Sequence, residues 1–182
     1  VTRSAPNALK EAMEKHKPAG RFSLQIFATD LDGDAIEQAR QGRYPRSIEA
    51  DVTAERLARH FTATDNGYQI NKDIREMVVF APQNLIQDPP FTKLDLLLCR
   101  NVLIYFGPEL QKKLLPLFHY SLRPGGVLFL GNAETVGSAP ELFAAIDGKA
   151  RIYRRQEITT QAVSIDFPAR FQAHPGETLE AR

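Results

Sequence analysis

LDLLLCRNVLIYF, residues 94–106, carries a strand, its polar end and the approach to a helix in thirteen residues. Leu94, Leu96, Leu97 and Leu98 form an apolar run interrupted only by Asp95. A run this short, bounded by turn-forming residues, reads as a fully buried parallel strand over residues 94–99, because a strand covered on both faces tolerates near-continuous leucine. It stops at Cys99-Arg100-Asn101. A second apolar patch follows over residues 102–106, and Gly107-Pro108-Glu109 opens a helix. Polar residues directly after a buried parallel strand stand at the carboxyl edge of the sheet, where open α/β sheets bind ligands. Arg100, Asn101 and Tyr105 are therefore expected to face a crevice.

Residues 7–17 read as an amphipathic helix and residues 22–29 as a first strand that stops at Asp30-Leu31-Asp32. Asp32 or Asp34 can cap the next helix, residues 35–41, which Gly42 ends. Residues 44–75 are the most polar section. A helix is expected over residues 53–61 with Thr53 as cap, then a turn at Asp65-Asn66-Gly67. Residues 67–71 are expected to form a hairpin with part of residues 73–80, the strand there being residues 77–80. Residues 82–90 read as loop. Residues 108–122 read as a helix in which Pro116 costs a hydrogen bond, so a kink or break is expected. Arg123-Pro124-Gly125-Gly126 is a sharp turn before a strand at residues 127–130; residues 140–146 read as a short helix and residues 150–153 as a last, antiparallel strand. Residues 156–182 are expected to be a C-terminal tail. The order strand, polar edge, helix, strand is that of an α/β fold with a largely parallel sheet.

The bulk numbers bound the function. The chain has 182 residues, 43% hydrophobic and 25% charged, with a net charge of +1. That is ordinary for one globular domain and gives no case for a nucleic-acid surface. One cysteine, Cys99, excludes an internal disulfide framework and suits a reducing compartment. His16, His60, His119 and His174 are scattered and suggest no metal site. No apolar run is long enough for membrane insertion, no export pattern precedes residue 7, and the expected location is cytoplasmic.

Several residues can carry chemistry. Asp30, between a strand and a helix, can accept two hydrogen bonds from a ribose diol or serve merely as a cap. Asn84 offers a donor and an acceptor to an adenine edge, or stabilises a turn. Arg100 reads as a partner for a charged ligand or as half of a surface ion pair. Tyr105 is either a site phenol or a core aromatic. Cys99 reads as an inert buried thiol. Gly131 and Glu134 lie beyond a strand end, where the loop either lines the same crevice or leaves Glu134 exposed. There is no GxxxxGK[ST] or GxGxxG motif.

FATDLD (27–32), APQNL (81–85), LLLCRNVLIYF (96–106), LRPGGVLFLG (122–131) and AETVG (133–137) together resemble CheR-type methyltransferases, the chemotaxis-receptor glutamate O-methyltransferases. The likeness spans about residues 8–154. It implies a Rossmann-like class I methyltransferase sheet over residues 7–155, with residues 44–75 as a small inserted subdomain. It implies S-adenosylmethionine as cofactor: Asp30 on the ribose, Asn84 and Leu85 beside adenine, Arg100 and Asn101 around the methionine portion. Tyr105 and Arg100 are the implied catalytic residues, and the implied partner is a chemoreceptor or other signalling protein.

Members of that family carry a glycine-rich segment of the GCSTGEE kind before the helix matching residues 7–17, where this chain has only VTRSAP. The expectation is a truncated or shortened relative lacking its first, central strand and impaired in transfer. The gap would be filled by AVSIDF (162–167) or by a second copy through a homodimer or strand swap. The alternative function is a non-catalytic signalling or dimerisation module.

Overall fold

The computed structural model describes residues 5–16, 23–137 and 139–158. The chain divides into two compact units, Val1–Asn84 and Leu85–Arg182.

In the first unit, helix α1 (Ala5–His16) is followed by strand β1 (Ile26–Asp30) and helix α2 (Gly33–Gln41). Asp32 caps α2, accepting from the Asp34 and Ala35 amides at 2.9 and 3.3 Å. Gly42 ends it at φ 63°, where a Cβ would come 2.8 Å from Ile70 Cγ2, so both backbone and packing demand glycine. Strand β2 (Arg43–Tyr44), a 3₁₀ turn (Arg46–Ala50), helix α3 (Ala54–His60), strands β3 (Phe61–Thr64) and β4 (Gly67–Ile70), helix α4 (Lys72–Glu76) and strand β5 (Val78–Pro82) complete the unit. β1 and β5 pair in parallel from Ile26↔Val78 to Asp30↔Pro82, and α2 packs on the pair.

Residues between β2 and α4 build their own small sheet, in the order β2-β4-β3. Its core is Ile48, Val52, Phe61, Ile70 and Ile74. The hairpin expected between residues 67–71 and 73–80 is corrected: β4 pairs with β3 across the Asp65-Asn66 turn, Thr64 opposite Gly67. Residues 72–76 are helix α4 instead, because Ile74 drops into this core while Lys72, Asp73 and Glu76 stay outside.

Charge fixes α1 onto this section. The Arg56 guanidinium donates twice to Glu11 Oε2, from Nε at 3.1 Å and from an Nη at 2.8 Å, and His60 Nε2 lies 3.0 Å from Glu11 Oε1. Arg59 pairs with Glu14 and Lys10 with Asp73. Arg56 holds the Glu11 carboxyl below its ordinary 4.5, against the opposing effect of burial. A carboxylate with a depressed folded pKa contributes stability that is complete above its unfolded value and lost as pH falls through the folded one. Acid unfolding followed by circular dichroism is thus expected to show wild type more stable than Glu11→Gln at neutral pH, with the gap closing below pH 4.5.

The second unit holds strand β6 (Leu94–Cys99), a 3₁₀ turn (Leu103–Tyr105), helix α5 (Pro108–Ser121) and strands β7 (Leu122–Leu130), β8 (Phe143–Asp147) and β9 (Ile152–Arg155). The sheet order is β6-β7-β9-β8. β6 and β7 are parallel, with Leu96 opposite Val127 and Cys99 opposite Leu130. The RPGG turn is a bulge inside β7, where the register jumps between the Leu94 and Leu96 pairings and Gly125 takes φ 74°. β9 runs antiparallel to both β7 and β8.

Three expectations need correction here. The break expected at Pro116 is absent: helix α5 continues from Pro108 to Ser121, with Leu114, Leu115, Leu117 and Phe118 buried. The short helix expected at residues 140–146 is strand β8: Asp147 Oδ1 accepts from the Lys149 and Ala150 amides at 2.9 and 3.0 Å, turning the chain back into β9. β6 is not fully buried. Leu98 is 38% exposed, because among the described residues β6 has a strand neighbour, β7, on one side alone. Likewise β1 has β5 as its one strand neighbour there. The proposed tail, from residue 159 onward, and AVSIDF lie outside the described residues.

Candidate functional site

The site residues fall in two groups, one at the carboxyl end of each parallel strand pair. In the first unit, Asp30 closes β1 and is exposed. One carboxylate oxygen accepts the Asp32 amide at 3.0 Å; among the described residues the other oxygen has no protein donor. The cap reading of Asp30 is thereby corrected, since Asp32 caps α2. The Asp30 carbonyl accepts from Gln83 N at 2.8 Å, which brings the loop carrying Asn84 to the same strand end. Leu85 belongs to the second unit, packed against its core.

In the second unit, β6 ends at Cys99, and the next residues make a tight reversal. Asn101 takes φ 59°, a left-handed conformation that asparagine tolerates better than other non-glycine residues. The chain then enters the 3₁₀ turn that carries Tyr105, which is 80% exposed. That settles Tyr105 against the core-aromatic alternative. Arg100 forms no ion pair among the described residues. Its guanidinium carbon lies 4.9 Å from the centre of the Phe129 ring, a cation–π contact, and its buried Nε has no hydrogen-bond partner.

Glu134 is the residue sequence reasoning left open, and it is buried, 3% exposed. Oε1 accepts from the Val102 and Leu103 amides, each at 2.7 Å. Oε2 accepts from Asn101 N at 3.0 Å and Gly131 N at 2.5 Å. The signal available in sequence was the Gly131-x-x-Glu134 spacing at the end of a buried strand, which places a carboxylate over a backbone amide three residues back.

Cys99 is buried, and burial together with the nearby Glu134 charge pushes its thiol up to about 12. The thiolate is the reactive form, so the native chain at pH 8 is expected to resist iodoacetamide and to react only on unfolding, as followed by mass spectrometry.

Residues 4–152 match the family described as CheR methyltransferase, SAM binding domain. The chain belongs to this family, whose cofactor is S-adenosylmethionine. It is 44% identical over 137 residues to an uncharacterized 104.1 kDa protein of Rhodobacter capsulatus, covering 75% of this chain and 14% of that protein. It is 36% identical over 129 residues to chemotaxis protein methyltransferase 1 of Pseudomonas aeruginosa, covering 69% and 47%. With the chemotaxis protein methyltransferase of Vibrio parahaemolyticus the identity is 34% over 136 residues, covering 73% and 50%. The chain therefore spans half or less of the length of these relatives. Among the described residues no helix is long and apolar enough to cross a membrane.

Taken separately, the residues of each unit suit a part of an adenosyl sulfonium ligand. Asp30 keeps a carboxylate oxygen for a diol, Arg100 keeps an unpartnered buried donor, and the Tyr105 hydroxyl has no hydrogen bond among the described residues.

Proposed function

We propose that this chain is the cofactor-binding part of a methyltransferase that esterifies glutamate carboxylates on chemoreceptor-type signalling proteins. The observation that carries the reading is the grouping of Arg100, Asn101 and an 80% exposed Tyr105 at the carboxyl end of one parallel strand, in a chain of this family. Asp30 would hold the ribose, Asn84 and Leu85 would flank the adenine, and Arg100 and Asn101 would hold the methionine arm. Residues 7–155 are the proposed methyltransferase domain, with residues 44–75 inserted.

The bound cofactor supplies a methyl group activated by positively charged sulfur. A glutamate carboxylate is already a nucleophile at neutral pH, so the chain need furnish no general base. Its residues have to orient the acceptor oxygen, keep water out and present a phenol beside the reacting carbon. Tyr105 suits that last task, being exposed at the rim and uncommitted. Incubation with tritiated S-adenosylmethionine and a chemoreceptor signalling fragment tests the reading. Label released as methanol by mild alkali supports carboxyl methylation, and alkali-stable label contradicts it.

The second reading is a non-catalytic signalling or dimerisation module. The open edges of β1 and β6 among the described residues favour it, since unpaired strand edges take up further strands. They equally support the expectation of a central strand that the described residues do not supply. Light scattering that finds a dimer, with no heat on titrating S-adenosylhomocysteine, would favour this module over the enzyme.

A further inference from the structure

We infer that Glu134 is a positioning residue: its buried carboxylate clamps the reversal after β6 and so sets the places of Arg100 and Tyr105. The role of that reversal in holding the cofactor rests on the reading above.

The geometry is specific. Two carboxylate oxygens take four backbone amides, three of them consecutive, from Asn101, Val102 and Leu103, and the fourth from Gly131. Three successive amides aimed at one point form an anion-binding concavity, and here the chain fills it from within. The reversal needs such a partner. Asn101 is left-handed, and the amides of residues 101–103 have no backbone acceptor in a sheet or helix ladder. Buried amides left unpaired are costly. The fit is close on every side. A Cβ on Gly131 would lie 2.6 Å from Glu134 Oε2 and 2.5 Å from Asn101 Oδ1. Arg100 precedes the first clamped amide and Tyr105 follows the last by two residues, so both side chains are carried by backbone whose path the carboxylate fixes. Glu134 itself is buried with its oxygens committed, which leaves it no contact with substrate.

Glu134→Gln is the discriminating variant. It keeps volume and one acceptor oxygen but turns an NH2 toward amides that need an acceptor. Hydrogen exchange of this chain by NMR is read at the amides of residues 101–103 and 131, beside calorimetry with S-adenosylhomocysteine. Wild type is expected to protect all four amides. The variant, with its circular dichroism spectrum unchanged, is expected to exchange them about tenfold faster and to bind S-adenosylhomocysteine about tenfold more weakly. Equal exchange in both proteins overturns the inference, and so does faster exchange with unaltered affinity. Should the variant fail to fold, wild-type amides exchanging as freely as exposed loop would overturn it, while protection of all four would uphold the clamp. If wild type takes up no S-adenosylhomocysteine, the functional reading falls and the exchange data alone decide the clamp.

Discussion

Gly131→Ala is expected to destabilise the second unit by about 1–3 kcal/mol, the usual cost of forcing an extra methyl into a filled space. The new Cβ would stand 2.5 Å from Asn101 Oδ1, 2.6 Å from Glu134 Oε2 and 2.8 Å from Asn101 N. The exposed Asn101 side chain can turn away, but the other two cannot retreat easily. The amide is backbone, and the Glu134 oxygen is fixed by the Asn101 and Gly131 amides. Any relief must come from displacing the carboxylate, which releases buried amides as well. In a chain of this size a loss of that order lowers the melting temperature by roughly 2–4 °C for each kcal/mol. Gly33→Ala is the matched control, because a Cβ there meets nothing within 4 Å. Thermal melts that leave Gly131→Ala within error of that control would contradict the packing described here.

The second large effect is expected at Arg100. Arg100→Ala removes the guanidinium stacked on Phe129 and a buried donor without a protein partner. If that donor serves a ligand, S-adenosylhomocysteine binding should weaken by one to two orders of magnitude, since a hydrogen bond to a charged group is worth about 1.5–3 kcal/mol. Arg100→Lys should rescue little, because an ammonium keeps the charge but neither the plane that stacks nor the fork of donors. Stability should change less than in Gly131→Ala, because Arg100 holds no ion pair among the described residues. Full rescue by lysine in calorimetry would reduce the role of Arg100 to charge alone.

Much of the architecture was legible in local chemistry. β6 matches the leucine run residue for residue, and Gly42 and Thr53 stand where their turn and capping chemistry put them. What escaped was decided by distant partners. β3 was hidden because Phe61 continues the periodic pattern of α3, and only pairing with β4 turns it into strand. β8 was hidden because its pairing with β9 depends on the Asp147 turn. The exposure of Leu98 follows from β6 having one described strand neighbour, which leucine content cannot reveal. In the site, the placement of Arg100, Asn101 and Tyr105 at a strand end followed from where the leucines stop. The burial of Glu134 did not, because its spacing from Gly131 points to one amide, and the three it takes from residues 101–103 are distant in sequence.

Both Asp30 and Arg100 are proposed above to bind the adenosyl cofactor. Isothermal titration of S-adenosylhomocysteine into wild type, Asp30→Ala and Arg100→Ala is the decisive measurement. One site per chain is expected, with affinity on the order of micromolar, weakened by each substitution alone. Absence of heat in wild type, or a binding curve that neither substitution moves, would contradict it.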